Sequence, residues 1–420
     1  MTAYNIGPDV PLTLVGHPFA TVGMGEQLRS HIAACRAVHL PCSVVDIFRY
    51  AARSDPDHID LVADCEVDTL GAGIRIFHIN GDEVDRVIEA CGKRFFEGYN
   101  IIVPAWELPI YPDVWAAQLR KFDEVWALSQ FIGGSLSATG ISSTYIGQAV
   151  EIPLGYFLPR KYFGIRESAF TLLHFFDLTS YAARKNPDAV LSMFQTIRQR
   201  REFAAVQLVL KVKSGDQDGE EWLRPISARL PEVICLANPM STFETRSLIN
   251  ACDCLVSLHR AEGFGRGLGE AMFLGRLALA TGWSGNMDYM ANENALLADY
   301  QLVPVGKEQY PFGDGQVWAE ANVDYAAGLV EAALDDRAHA AAIAARGQRD
   351  IRLGYSFRAV GLRILDRVTE IRASLTSEPK RRGKPNNPAK PKPKSKPKPK
   401  LRSWQKAARA SHRRAVTIVA

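Results

Sequence analysis

"CLVSLHRAEGFGRGLGEAMFLG" occupies residues 254–275. It opens with an apolar, β-prone run and closes with Leu268, Ala271, Met272 and Gly275 recurring at helical spacing. Between them lies a turn containing Glu262, Gly263, Phe264 and Gly265. Strand, glycine turn and helix in that order form the repeating unit of a parallel α/β sheet. The turn falls at the carboxyl end of the strand, where such sheets bind ligands. Its glycines let backbone approach a ligand closely, and the start of the helix offers unpaired N–H groups to a phosphate.

The same alternation extends in both directions. Upstream, "LTLV", "SVVDIF", "IRIFHIN", "NIIVPAW" and "EVWALS" are short strands with helical patterns between several of them. The pattern restarts near residue 168 with "FTLLHFF", a helix beginning at Asn186, "VQLVLKV", "VICLA", "CLVSLH" and "LALAT". The intervening "EIPLGYFLPRKYFGIRE" (151–167) has little period and reads as an interdomain linker. The expected fold is therefore α/β, with two Rossmann-like domains facing each other across a cleft. The expected divisions are 1–160, an N-terminal Rossmann-like domain; 161–355, a C-terminal Rossmann-like domain; 356–377, a closing helix; and 378–420, a disordered Lys/Pro-rich basic tail.

Composition narrows the class. The chain has 420 residues, 47% of them hydrophobic, and no apolar run long enough to span a bilayer. The N-terminus lacks the pattern of a signal peptide. Seven cysteines occur without a CxxC pair, so a reduced, cytoplasmic protein without a metal site is expected. The net charge of +4 conceals an asymmetry: residues 379–420 hold 15 Lys and Arg and no acid, leaving 35 basic against 46 acidic residues elsewhere. The tail reads either as a solvated extension or as a strip for an anionic membrane surface at its inner face. Nucleic acid is the less favoured partner.

The second half carries the chemistry. A carboxylate can accept two hydrogen bonds from a vicinal diol, so Glu270 suits a ribose and Glu262 a sugar, with a diphosphate between them. Ser284, Gly285 and Asn286 in "GWSGNMD" make a second backbone anion site. Arg184, Lys185 and Lys211, near the ends of the first two strands of this half, supply positive charge. In the first half, Gly23 and Gly25 lie in a glycine loop after the first strand, where ligand contact and simple turn formation are both open. His17 and His78 reach strand ends. Trp106 and Glu107 read either as an acceptor platform or as a packed turn. "DPD" (55–57) is a D-x-D that reads as a solvated turn, not a metal site.

Glu262-Gly-Phe264-Gly265 with Glu270-Ala271-Met272 and Gly275 resembles the E-x7-E motif of family-four retaining glycosyltransferases, over roughly residues 10–375. The resemblance implies the GT-B fold and transfer of a hexose from a nucleoside-diphosphate sugar to a saccharide or glycolipid acceptor, as in bacterial polysaccharide assembly. It implies that Glu270 holds the donor ribose, Glu262 contacts the transferred sugar, and Arg184, Lys185 and Lys211 neutralise the leaving diphosphate. It further implies attack from the leaving-group face, and with the fixed cations replacing a metal, no cofactor is expected. Two departures stand out: the first strand of the second domain ends "FFD" rather than Gly-Arg, and Leu277 replaces a usual proline. The rival readings are a glycoside hydrolase, a GT-B nucleotide-sugar epimerase, and a non-catalytic binding protein docked by its tail.

Overall fold

The computed structural model describes residues 10–201, 205–213 and 219–376. The basic tail lies outside the described residues. The first sheet comprises β1 (Leu12–Gly16), β2 (Ser43–Asp46), β3 (Ile74–Phe77), β4 (Tyr99–Ile102), β5 (Glu124–Ala127) and β6 (Thr144–Tyr145). The second comprises β7 (Phe170–Asp177), β8 (Val206–Lys213), β9 (Val233–Leu236), β10 (Cys254–Ser257), β11 (Leu277–Thr281) and β12 (Leu296–Ala298). A hairpin follows, β13 (Tyr300–Pro304) and β14 (Val317–Ala321).

Both sheets are parallel throughout, ordered β2-β1-β3-β4-β5-β6 and β12-β11-β10-β7-β8-β9. The strands are buried on both faces, which explains their continuous apolar runs such as "LTLV" and "LALAT". In each sheet the strand order reverses beside the first strand. The reversal opens a crevice between β1 and β3 in one sheet and between β7 and β10 in the other.

The first sheet's core is closed by a segment distant in sequence. The helix Phe357–Thr376 lies along Gly23–Ala37 and buries Val360, Ile364, Val368 and Ile371 with the first sheet's residues. A Cβ at Gly361 would stand 2.2 Å from Ala34 O, so glycine permits this approach. The stretch expected to be a linker is packed: Ile152, Phe163 and Ile165 are buried in the second sheet's core. Asp55 is likewise no solvated turn. It N-caps the helix Pro56–Val62, and its Oδ2 accepts from Thr242 Oγ1 at 2.7 Å, joining the two halves.

Candidate active site

The crevice between β7 and β10 collects the charged residues. After β7 the chain passes through Tyr181, whose φ of 55° is left-handed, into the short helix Ala182–Lys185. That turn sends both Arg184 and Lys185 toward the loop after β10. Lys185 Nζ donates to Glu262 Oε1, and Arg184 Nη1 lies 3.1 Å from Glu262 Oε2. Burial alone would raise the Glu262 carboxyl. The Lys185 ammonium and Arg184 guanidinium outweigh it and hold the group well below the usual carboxylate range.

Arg184 is only 3% exposed and bridges two carboxylates. Its Nη1 donates to Ala261 O at 3.0 Å, its Nη2 to Ser180 Oγ at 2.8 Å, and Nη2 stands 3.7 Å from Glu107 Oε1. Its Nε is buried with no acceptor among the described residues. Burial would lower the guanidinium, but Glu262 and Glu107 raise it above its usual value. Lys185 moves the other way: burial lowers it despite Glu262.

Glu270 sits in a different ionic setting. It lies in the helix Arg266–Phe273, whose N-cap Gly265 has φ 82°, and Arg266 Nε is 2.8 Å from its Oε1. Arg266 also faces Glu26 of the first domain at 3.5 Å, and Glu26 accepts from Arg29 at 2.6 Å. Burial pushes the Glu270 carboxyl up, only partly offset by Arg266. The two glutamates of the opening stretch thus differ: one is held ionised by two cations, the other is shifted toward its protonated form.

The "GWSGNMD" loop props Glu262. Ser284 Oγ accepts from Glu262 N at 2.8 Å, and Gly285 N donates to Glu262 O at 2.9 Å. Asn286 is fully buried, with Nδ2 donating to Thr281 O and Oδ1 3.1 Å from His259 Nε2. Of the backbone donors expected to form an anion site here, Gly285 N is therefore taken up by the neighbouring loop. Gly263 and Phe264 are packing residues: a Cβ on Gly263 would reach Trp106 O at 2.8 Å, and Phe264 is buried against Tyr289 and Tyr355.

Lys211 is not drawn into the Glu262 cluster. Its Nζ donates to Val212 O and Asn238 O, and burial with Lys213 nearby lowers it. Lys213, two residues on, spans to the first domain, where its Nζ donates to Thr21 O. Alternation along β8 puts both lysines on one face, a signal the sequence offered. In the glycine loop, Gly25 is demanded by packing, because a Cβ would fall 2.1 Å from Ala20 O. Gly23 has open space.

His17 Nε2 pairs with Glu83 Oε1 at 2.8 Å, and His78 is wholly buried beside Gln27. Trp106 resolves as a packed turn: it is 2% exposed and its Nε1 donates to Ile110 O at 2.9 Å. The residue missed by sequence was Tyr310, on the β13–β14 hairpin, whose hydroxyl donates to Glu107 Oε2.

Residues 175–350, which span Arg184 to Glu270 and the hairpin, match the family model described as glycosyl transferases group 1. The chain carries a glycosyltransferase domain. No curated protein matches the chain. Solved structures share the architecture. The Anabaena protein HepE in complex with UDP-glucose aligns with a TM-score of 0.62 at 14% identity, over 86% of this chain and 100% of that one. Sucrose-phosphate synthase from Thermosynechococcus elongatus gives 0.63 at 14%, over 87% and 100%. A glycosyltransferase from Rickettsia africae gives 0.61 at 11%, over 86% and 99%. With two parallel Rossmann-like sheets, the glycosyltransferase has the GT-B fold. No helix among its described residues is long and apolar enough to cross a membrane.

Proposed function

We propose that the chain is a family-four retaining glycosyltransferase that moves a hexose from a nucleoside-diphosphate sugar to a saccharide or glycolipid acceptor. The observation that carries this reading is the Glu262 carboxylate held between Lys185 and Arg184 at the strand-order reversal of the second sheet. A sugar hydroxyl donating to Glu262 is fixed there, beside two cations suited to a leaving diphosphate. As the bond to that diphosphate lengthens, the sugar becomes oxocarbenium-like and negative charge grows on the leaving oxygen. Lys185, the unpartnered Arg184 Nε and the start of the helix Arg266–Phe273 stabilise it without reorganising. No metal is needed for that role, and the acceptor attacks from the leaving-group face. Glu270 takes the ribose by exchanging part of its contact with Arg266 for the diol.

This reading is favoured over hydrolysis because Lys185 and Arg184, gathered at Glu262, suit a leaving diphosphate, which hydrolysis of a glycoside does not have. An epimerase shares the same donor cleft and separates by its product. The HepE complexes contain UDP and UDP-glucose, which makes uracil the first base to try. The acceptor assembly is proposed to be a bacterial polysaccharide or glycolipid at the cytoplasmic face, approached through the basic residues 379–420.

The test is the thermal midpoint of the full chain with UDP, GDP, ADP, CMP or dTDP, for wild type and Glu270→Ala. A diphosphate at about 100 times its Kd stabilises by about 2.7 kcal/mol. One diphosphate should raise the wild-type midpoint, and Glu270→Ala should abolish the rise. Absence of any shift, together with absence of transfer from UDP-glucose, sinks the reading. The anomeric configuration of a transferred product, read by NMR, decides retention.

A further inference from the structure

Glu26 stands where the glycine loop of the first domain meets the helix Arg266–Phe273 of the second. It lies in the first turn of Gly23–Ala37, and its two oxygens serve different domains. Oε1 accepts from Arg29 Nη2 at 2.6 Å, and Oε2 lies 3.5 Å from Arg266 Nη2. Arg29 is itself pinned to the loop: its Nη1 donates to Pro18 O at 2.6 Å and to Ala20 O at 3.0 Å. Arg29 thereby fixes the Glu26 carboxylate opposite Arg266.

Arg266 is shared three ways. Its Nε is 2.8 Å from Glu270 Oε1, its Nη1 donates to Ala149 O at 3.0 Å, and its Nη2 faces Glu26. Glu270 is the nearer of its two carboxylates. Burial would raise the Glu26 carboxyl, but Arg266 and Arg29 outweigh it and hold it at about 2, so Glu26 stays ionised at neutral pH. An acid in the first turn of a helix ordinarily answers to the N–H groups of that helix. Here both oxygens turn to arginines, one of them in the other domain.

We propose that Glu26 is a positioning residue for the donor ribose: it draws Arg266 off Glu270 and frees that carboxylate to accept both hydroxyls of the diol. While Glu270 keeps its charge-assisted bond to Arg266 it has fewer lone pairs to offer, and a ribose must break that bond to bind. An arginine that loses one carboxylate in a buried setting needs another, because an unpaired buried charge is costly. Glu26 is that second carboxylate, already 3.5 Å away. The exchange moves Arg266 from a partner in its own helix to one in the first domain, so ribose binding also strengthens the contact between the domains. With a neutral residue at position 26, Arg266 has Glu270 as its only carboxylate, and the ribose competes against the whole pair. This inference rests on the reading of Glu270 as the ribose ligand.

The test is calorimetric titration of the full chain with UDP, GDP and ADP, each against its 2′-deoxy form, for wild type and Glu26→Gln. Gln keeps the shape and an oxygen for Arg29 while removing the charge. Glu26→Asp, which keeps the charge and shortens its reach, takes its place should Gln not fold. The ratio of the two affinities on one sample reports the ribose contact, because a general loss of stability or of diphosphate binding cancels from it. In wild type the ribose form of at least one nucleotide should bind roughly tenfold or more tighter. The variant should retain a preference of roughly threefold or less. An undiminished or increased preference overturns the role of Glu26 and leaves Glu270 on the ribose, an increase being what repulsion between the two carboxylates alone would give. If wild type binds none of the nucleotides, or binds them without preference for the ribose form, the ribose reading of Glu270 falls and the role of Glu26 falls with it.

Discussion

Asp288 illustrates how one side chain reports on contact between the two sheets. It lies just after β11, in the second half of the chain, and its Oδ2 accepts from Gln130 N of the first at 2.9 Å. Burial pushes its carboxyl from 3.8 up to about 6, against the Gln130 and Tyr145 hydrogen bonds. Between pH about 4 and 6 the folded chain therefore holds a proton that the unfolded chain has released. Asp288 contributes stability fully below pH 4, and that contribution is lost as pH rises through 6. Asn keeps an acceptor oxygen for Gln130 N and has no proton to lose. Urea midpoints of wild type and Asp288→Asn from pH 3.5 to 7.5 should thus diverge, the variant gaining relative stability from pH 4 to 6 and no more above. A constant difference across that range would show that Asp288 does not titrate where its burial places it.

At the scale of elements, the loop after β11 and the loop after β10 act as one piece. A Cβ on Gly285 would lie 2.0 Å from Gly263 O and 2.7 Å from Phe264 N, all backbone that cannot yield. Gly285→Ala should cost about 1–3 kcal/mol of stability and displace Glu262, whose backbone it anchors. Gly328→Ala is the comparison: it lies within the helix Val323–Asp335 with nothing near its Cβ, and should stabilise by roughly 0.5–1 kcal/mol. Thermal midpoints check both, and a neutral Gly285→Ala would separate the two loops. The strands and the βα turns were legible because buried parallel strands write continuous apolar runs, and because glycine and charge mark their carboxyl ends. Glu262, Arg184 and Lys185 were legible for that reason, and the structure brings them together. The second carboxylate on Arg266 was not, because Glu26 lies in a helix of the other domain. Nor was the hairpin: β13, with Tyr300, Gln301 and Leu302 partly exposed, has no buried face to read. Tyr310 meets Glu107 across 203 positions, and no local pattern encodes that pairing.

At the scale of the whole molecule, the chain crosses between its halves more often than a tandem pair requires. Having built the second sheet, it returns through Arg337–Tyr355 to lay Phe357–Thr376 on the first. Four aliphatic side chains of that last helix, Val360, Ile364, Val368 and Ile371, are at most 2% exposed in the first sheet's core. At about 1.5–3 kcal/mol for each buried side chain, their removal forfeits on the order of 10 kcal/mol, comparable to the whole stability of a typical domain. Arg372 adds a bond from Nη2 to Val10 O at 2.7 Å, tying the helix to the residues just ahead of β1. The first sheet is therefore completed by residues that follow the whole second sheet in the chain, and its strands have no closed core before them. A chain stopped after Thr376 should unfold in one cooperative transition like the full chain. A chain stopped after Tyr355 should lose amide protection in β1 to β5 first, because Leu28 and Ile32 lose their cover, while β7, β8 and β10 keep theirs. Hydrogen exchange by mass spectrometry reads the two sheets separately. Native protection of β1 in the shorter chain would mean that the helix decorates a core already complete, and that the first half folds without waiting for that helix.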